Sequence, residues 1–162
     1  MADADDQNKY SFDSSALIHA WRRSYPPKHF PQFWGRIDGL IDEGRLFCSS
    51  EVVAELKKKD DELFAWCKTH PALSVEISEE LQDHLTEIMG MYPRLVDTTK
   101  GRSTADPFVI ALARMQDPEW VVVTEENPGR VNSPKIPDVC KAEDIRCMRL
   151  VELIQEEDWI FR

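Results

Sequence analysis

Apolar residues recur along this chain in two rhythms, one of strands and one of helices, that take turns. Tyr10-Ser11-Phe12 is a short strand candidate that stops at Asp13, and Ser14-Ser15 open a helix through Leu17, Ile18 and Trp21 that Pro26-Pro27 close. Phe33, Trp34, Ile37, Leu40 and Ile41 follow helical spacing after Pro31, a favoured first-turn residue, and Gly44 is placed to end that helix. Leu46-Phe47-Cys48 reads as a buried strand. Ser49-Ser50 then cap a helix predicted to carry Val52, Leu56, Leu63 and Cys67 on one stripe. Leu73 to Ile77 alternates as a strand does, and Ser78 caps a helix striped by Leu81, Leu85, Ile88 and Tyr92. The next helix begins at Thr104 or Asp106, with Pro107 in its first turn and a buried body from Phe108 to Met115. Trp120-Val121-Val122-Val123 is the clearest strand of all, short, β-branched and uninterrupted. A proline-rich loop, a short helix near Asp138 to Ala142, a strand at Ile145 to Met148 and a helix from Leu150 to Glu157 complete the pattern.

Strands that alternate with helices predict an α/β protein. The expected architecture is a single three-layer α/β/α domain over residues 10–162, with a mainly parallel central sheet of about five strands. Residues 1–9 are expected to be a flexible acidic lead-in.

Composition narrows the functions open to such a fold. The chain has 162 residues, with 20 Lys+Arg against 30 Asp+Glu, a formal net charge of −10. That balance argues against a protein that coats nucleic acid with a broad basic surface. The longest apolar run, Phe108 to Ala113, falls far short of the ~18 residues a membrane span needs, so no membrane partner is expected. The start, Met1 to Asp6, is acidic and lacks an apolar stretch, so a secretory signal is not expected and a cytoplasmic location is. Cys48, Cys67, Cys140 and Cys147 form no C-x-x-C pair and are read as buried free thiols. The four histidines fall in no zinc-binding spacing, and neither a phosphate-cradling glycine loop nor a serine-hydrolase elbow is present.

The acids are informative by position. In a parallel sheet each helix starts near the carboxyl edge of the preceding strand, and ligands gather at that edge. Asp13 ends the first strand, Glu55 lies early in the helix after the second, Asp106 sits in the first turn of its helix, and Glu126 follows the Val121–Val123 strand by three residues. Glu51 and Glu125 are near neighbours that substitute for Glu55 or Glu126 in the same scheme. Clustered carboxylates repel unless protonated or neutralised, and hard divalent ions prefer such oxygen ligands. The functional reading is metal-assisted phosphodiester hydrolysis with one or two Mg²⁺ or Mn²⁺ ions, which lower the pKa of water and stabilise charge on phosphorus-bound oxygens. The plainer alternative is that Asp13 and Asp106 cap helices while Glu55 and Glu126 are solvated.

Set together, Ser11-Phe12-Asp13-Ser14-Ser15, the segment Ser49 to Leu56, the segment Thr104 to Ala113, and Val121 to Glu126 resemble the PIN-domain family of metal-dependent nucleases. That family includes the VapC-type ribonuclease toxins of bacteria and archaea, and the order and spacing match over nearly the whole chain. The resemblance implies that Asp13, Glu55, Asp106 and Glu126 are the catalytic acids, with Asp13, Asp106 and Glu126 holding the metal. It implies Thr124 as a residue that positions the fourth acid or a water, with Ser14 in support. It further implies RNA as substrate, Mg²⁺ or Mn²⁺ as cofactor, frequent homodimers, and in toxins a cognate antitoxin that blocks the site. Two departures stand out: Glu126 occupies a position that usually carries Asp, and Pro107 one that is usually small.

Positive charge near the acids follows from the same scheme. Lys100 and Arg102 just precede Asp106, while Arg130 and Lys135 follow Glu126, so Lys100, Arg102 and Arg130 are expected to hold RNA phosphates. Arg22, Arg23 and Lys28 make a weaker second patch. The tryptophans Trp21, Trp34 and Trp66 fit helix stripes and are expected in the core. A PIN-like subunit with weak or no catalysis, acting by interaction, is the second expectation. A phosphotransfer domain with Asp13 as nucleophile is disfavoured, because the haloacid-dehalogenase pattern needs Asp at position 15, which is Ser.

Overall fold

The computed structural model describes residues 7–96 and 104–162. Five strands, β1 (Tyr10–Phe12), β2 (Leu46–Ser49), β3 (Ser74–Val75), β4 (Val121–Val123) and β5 (Cys147–Met148), form one sheet in the order β3-β2-β1-β4-β5. Every neighbouring pair is parallel. The helices are α1 (Ser14–His19), α2 (Pro31–Asp42), α3 (Ser50–Lys59), α4 (Asp61–Lys68), α5 (Glu79–Met91), α6 (Asp106–Arg114), α7 (Ile136–Ala142) and α8 (Leu150–Glu156). The architecture is thus the three-layer α/β/α arrangement anticipated from the alternating rhythm, and the sheet, expected to be mainly parallel, is parallel throughout. Among the described residues no helix is long and apolar enough to cross a membrane.

Alternation along β1 assigns its two faces. Ser11 donates its hydroxyl to the Val109 carbonyl of α6 at 2.9 Å, so this face meets α6. Tyr10 points the other way and bonds the Glu157 carboxylate just beyond α8, which Arg45 also grips at 2.6 Å. The α6 face is filled by Leu81, Ala111 and Leu112, against which Phe47 and Trp120 stack at 4.6 Å. A larger cluster runs from Phe12 and Leu17 to Phe33, Ile37, Leu56 and Leu153. Trp21 and Trp66 each pack edge to face on Trp34 and lie tilted to one another, with ring centres 5.0 to 6.2 Å apart, as core residues do.

Three elements differ from the sequence expectation. The stripe from Val52 to Cys67 is two helices, because Asp60 adopts an extended conformation (φ −152°, ψ 100°) between α3 and α4. Its carboxylate accepts the Leu63 N–H as the cap of α4 and takes both Nε and Nη2 of Arg22 at 2.7 Å. Strand β3 is only two residues long, since Pro71 draws Leu73 into a 3₁₀ turn. Strand β5 is likewise short, because the Ile145 N–H is used at the end of α7, on the Cys140 carbonyl. The chain after α1 widens into a single π turn over Ala20–Ser24, closed by the Tyr25 N–H on the Ala20 carbonyl.

Asp60 generates a stability prediction. The Arg22 guanidinium holds its carboxyl below the usual carboxylate range. A depressed carboxylate contributes stability above its unfolded pKa and loses it as pH falls through the folded one. Asp60→Ala should cost about 1 kcal/mol at neutral pH for the lost cap. In urea denaturation the gap between wild type and variant should narrow on acidification.

Candidate metal centre

Strand order places a topological switch between β1 and β4, where the chain leaves the sheet on opposite sides and a crevice opens at the carboxyl ends. Tyr10, Ser11 and Phe12 align with Val121, Val122 and Val123, so Asp13 and Thr124 emerge side by side. The Asp13 N–H donates to the Val123 carbonyl at 2.9 Å, which continues the ladder by one step.

Asp13 is 1% exposed. Its Oδ2 accepts the hydroxyls of Ser15 at 2.6 Å and Thr124 at 2.9 Å. A hydroxyl has one proton to give. Both protons go to Asp13, so the two oxygens are left as acceptors, and each takes a backbone N–H of the next segment. Ser15 Oγ receives the Glu125 N–H and Thr124 Oγ1 the Glu126 N–H, both at 3.1 Å. The other Asp13 oxygen, Oδ1, is buried with no hydrogen-bond partner. Burial pushes the Asp13 carboxyl above its ordinary range, the Glu55 charge adds to that, and the two hydroxyls oppose it.

Asp106 opens α6, is 2% exposed, and is followed by Pro107 in a first-turn position that needs no N–H donor. Glu126 is steadied by the Ile136 N–H of α7, which donates to its Oε2 at 3.2 Å. The loop between them is fastened by Asp138, whose Oδ2 accepts the N–H groups of Gly129 (2.6 Å) and Lys135 (2.9 Å). Gly129 is required there, since a Cβ would lie 2.3 Å from the Ser133 carbonyl oxygen.

These elements bring one oxygen each of Asp13, Asp106 and Glu126 within 4.8 Å of one another. The widest oxygen pair around Mg²⁺, with ligands at ~2.1 Å, is about 4.2 Å apart, so small side-chain adjustments would close the trio on an ion. The donor set is all carboxylate, as a hard divalent cation prefers. The unpartnered Asp13 Oδ1 fits that ion as a ligand atom. The extra methylene of Glu126 does not carry its carboxylate out of reach.

The trio lies in an open cavity of about 480 Å³. Glu55 lines it without joining the trio, and its Oε1 is 2.5 Å from Lys59 Nζ. Glu125 also lines it, but its Oε1 accepts the Leu150 N–H at 2.8 Å and its Oε2 lies 3.4 Å from Arg149, so it serves α8. Glu51 does not line the cavity. Ser14 is buried at the wall, yet the serine hydroxyl on Asp13 is that of Ser15. Arg130 is exposed on a turn closed by the Ser133 N–H and does not line the cavity, whereas Lys135, Arg23 and Lys59 do. Lys100 and Arg102 lie outside the described residues. Sequence reasoning missed Lys59, although its position four residues after Glu55 on a helix is a readable pairing signal. It also missed Arg149, which bonds the Glu125 and Glu126 carbonyls and the Asn127 side chain.

Among solved structures, the chain is similar to VapBC2 from Rickettsia felis bound to a DNA fragment from their promoter. The TM-score is 0.54 and the identity 15%, over 86% of this chain and 97% of that one. It is also similar to FitAcB from Neisseria gonorrhoeae, with a TM-score of 0.47 and 16% identity over 86% of this chain and 96% of that one. The fold is the VapC-like PIN fold that the sequence motifs resemble. Residues 10–161 match the model of the family described as "Domain of unknown function (DUF4411)", and the chain belongs to that family. No curated protein matches it.

The hydroxyl relay predicts an effect on stability. Thr124→Val removes a donor to buried Asp13 and an acceptor of the part-buried Glu126 N–H, at a cost of about 1–3 kcal/mol in urea denaturation. Thr124→Ser should stay close to wild type in the same measurement.

Proposed function

We propose that this chain is a metal-dependent ribonuclease that hydrolyses RNA phosphodiester bonds at the Asp13 cavity. The observation that carries the reading is the convergence of Asp13, Asp106 and Glu126 oxygens within 4.8 Å, with Asp13 Oδ1 buried and unpartnered. Asp13, Asp106 and Glu126 hold Mg²⁺ or Mn²⁺ in this scheme. A bound divalent ion supplies Lewis acidity and lowers the pKa of water at the reacting phosphate.

The chain's own groups do the rest. Ser15 and Thr124 favour the charged form of Asp13 against its burial and fix the position of its Oδ2. Glu55 orients the attacking water from the α3 wall. Lys135 and Arg23, at the cavity lining, attract the substrate phosphate electrostatically and set its register, as phosphate contacts do. RNA as the substrate follows from the resemblance to PIN-domain nucleases, as does a cognate antitoxin that covers the cavity, with the chain acting as its toxin partner. A homodimer and a cytoplasmic setting belong to the same reading.

Cleavage of single-stranded RNA with Mn²⁺, with and without EDTA, tests it. Asp13→Asn and Asp106→Asn should abolish metal-dependent cleavage. Because burial disfavours the Asp13 charge, Asp13→Asn should melt at or above the wild-type temperature without metal. Full residual activity in either variant overturns the assignment. A wild-type chain with neither cleavage nor an Mn²⁺-dependent thermal shift belongs instead to a non-catalytic interaction subunit.

A further inference from the structure

We infer that a second cavity, at the carboxyl ends of β4 and β5, is a subsite for one nucleoside of the RNA strand, the one that adjoins the scissile phosphate. The inference deepens the ribonuclease reading and rests on it.

The cavity has a volume of about 380 Å³. Its position follows from the sheet. Val122 and Val123 pair with Cys147 and Met148, and the Thr124 N–H donates to the Met148 carbonyl at 3.0 Å. The carboxyl end of β5 therefore lies one strand away from the Asp13 crevice, on the edge where parallel sheets take ligands. Glu126 lines both cavities, so one side chain is common to the candidate metal centre and to this neighbour.

The lining suits a nucleoside in two ways. Buried Ile145 and Met148, with Pro128 and Pro137, offer apolar surface on which the face of a base sheds water. Lys141, exposed in the last turn of α7, and Arg149 add positive charge for a flanking phosphate. Of the two carboxylates also present, Glu152 accepts the Arg149 N–H at 3.2 Å as part of the cap of α8, and Glu126 joins the metal trio. A phosphate by itself would use the cations and leave the apolar surface idle, whereas a nucleotide uses both. Unstacked bases of single-stranded RNA are free to enter such a cavity.

Cys147 also lines the cavity, and it is the one cysteine of the four that is not buried. Iodoacetamide labelling of the whole chain, read by mass spectrometry, therefore reports on this cavity without reference to activity. Adenosine or uridine 5′-monophosphate should slow the labelling of Cys147 at least about fivefold at saturation, and ribose 5-phosphate should not. Lys141→Glu should weaken that protection. Cleavage with Mn²⁺ gives a second measurement, on RNAs that lack the base on one side or the other of the mapped cut. One of the two should show a KM raised at least about fivefold. Cys147→Phe, which fills the cavity, should raise the KM for intact RNA and cancel the further effect of the missing base. Equal protection by ribose 5-phosphate marks a phosphate site only and overturns the inference. A wild type that cleaves RNA, yet shows neither nucleotide protection nor an effect of the missing base, overturns this inference alone. If wild type cleaves no RNA, the ribonuclease reading falls and this inference with it.

Discussion

A single buried carboxylate, that of Asp13, organises the carboxyl edge of the sheet. Burying a charge is costly unless it is hydrogen-bonded, and here two hydroxyls from separate segments compensate one of its oxygens. The same hydroxyls order the backbone of residues 125 and 126, so one carboxylate fixes both the end of β1 and the start of the segment after β4. The arrangement satisfies one oxygen of the carboxylate and leaves the other unpartnered, on a residue that lines the same cavity as Asp106 and Glu126.

The surrounding structure supports that edge from several directions. Glu125 lines the same cavity but commits its carboxylate to the first N–H of α8, while Arg149 spans the carbonyls of residues 125 and 126. Just past α8, Glu157 joins Tyr10 and Arg45, which ties the C-terminal part of the domain to the opposite end of β1. Asp138 closes the long loop by two backbone N–H groups. Adjacent acids, Glu125 and Glu126, have thus divided, one serving α8 and the other joining the trio, with N–H partners on different helices.

Much of this was legible in the chain. Short β-branched or aromatic runs marked β1, β2 and β4, and parallel topology alone sent the acids that follow them to one edge. Details that depend on distant partners were not legible. Asp60 splits a continuous apolar stripe only because Arg22, 38 residues away, accepts the extended turn. Ser14 and Ser15 differ by about 100° around α1, and sequence does not say which of them faces Asp13. Arg130 and Lys135 sit in the same loop, but the Asp138 fastening turns one to solvent and the other to the cavity.

The two outer strands of the sheet, β3 and β5, are each two residues long. Such strands offer roughly 7 Å of open backbone edge, too little to template the addition of another chain as an extra strand. The sheet is thus protected against edge-to-edge aggregation by brevity rather than by charge or proline. Among the described residues, the surface open to association is that of helix faces and loops, and the strand ladder is an interior scaffold.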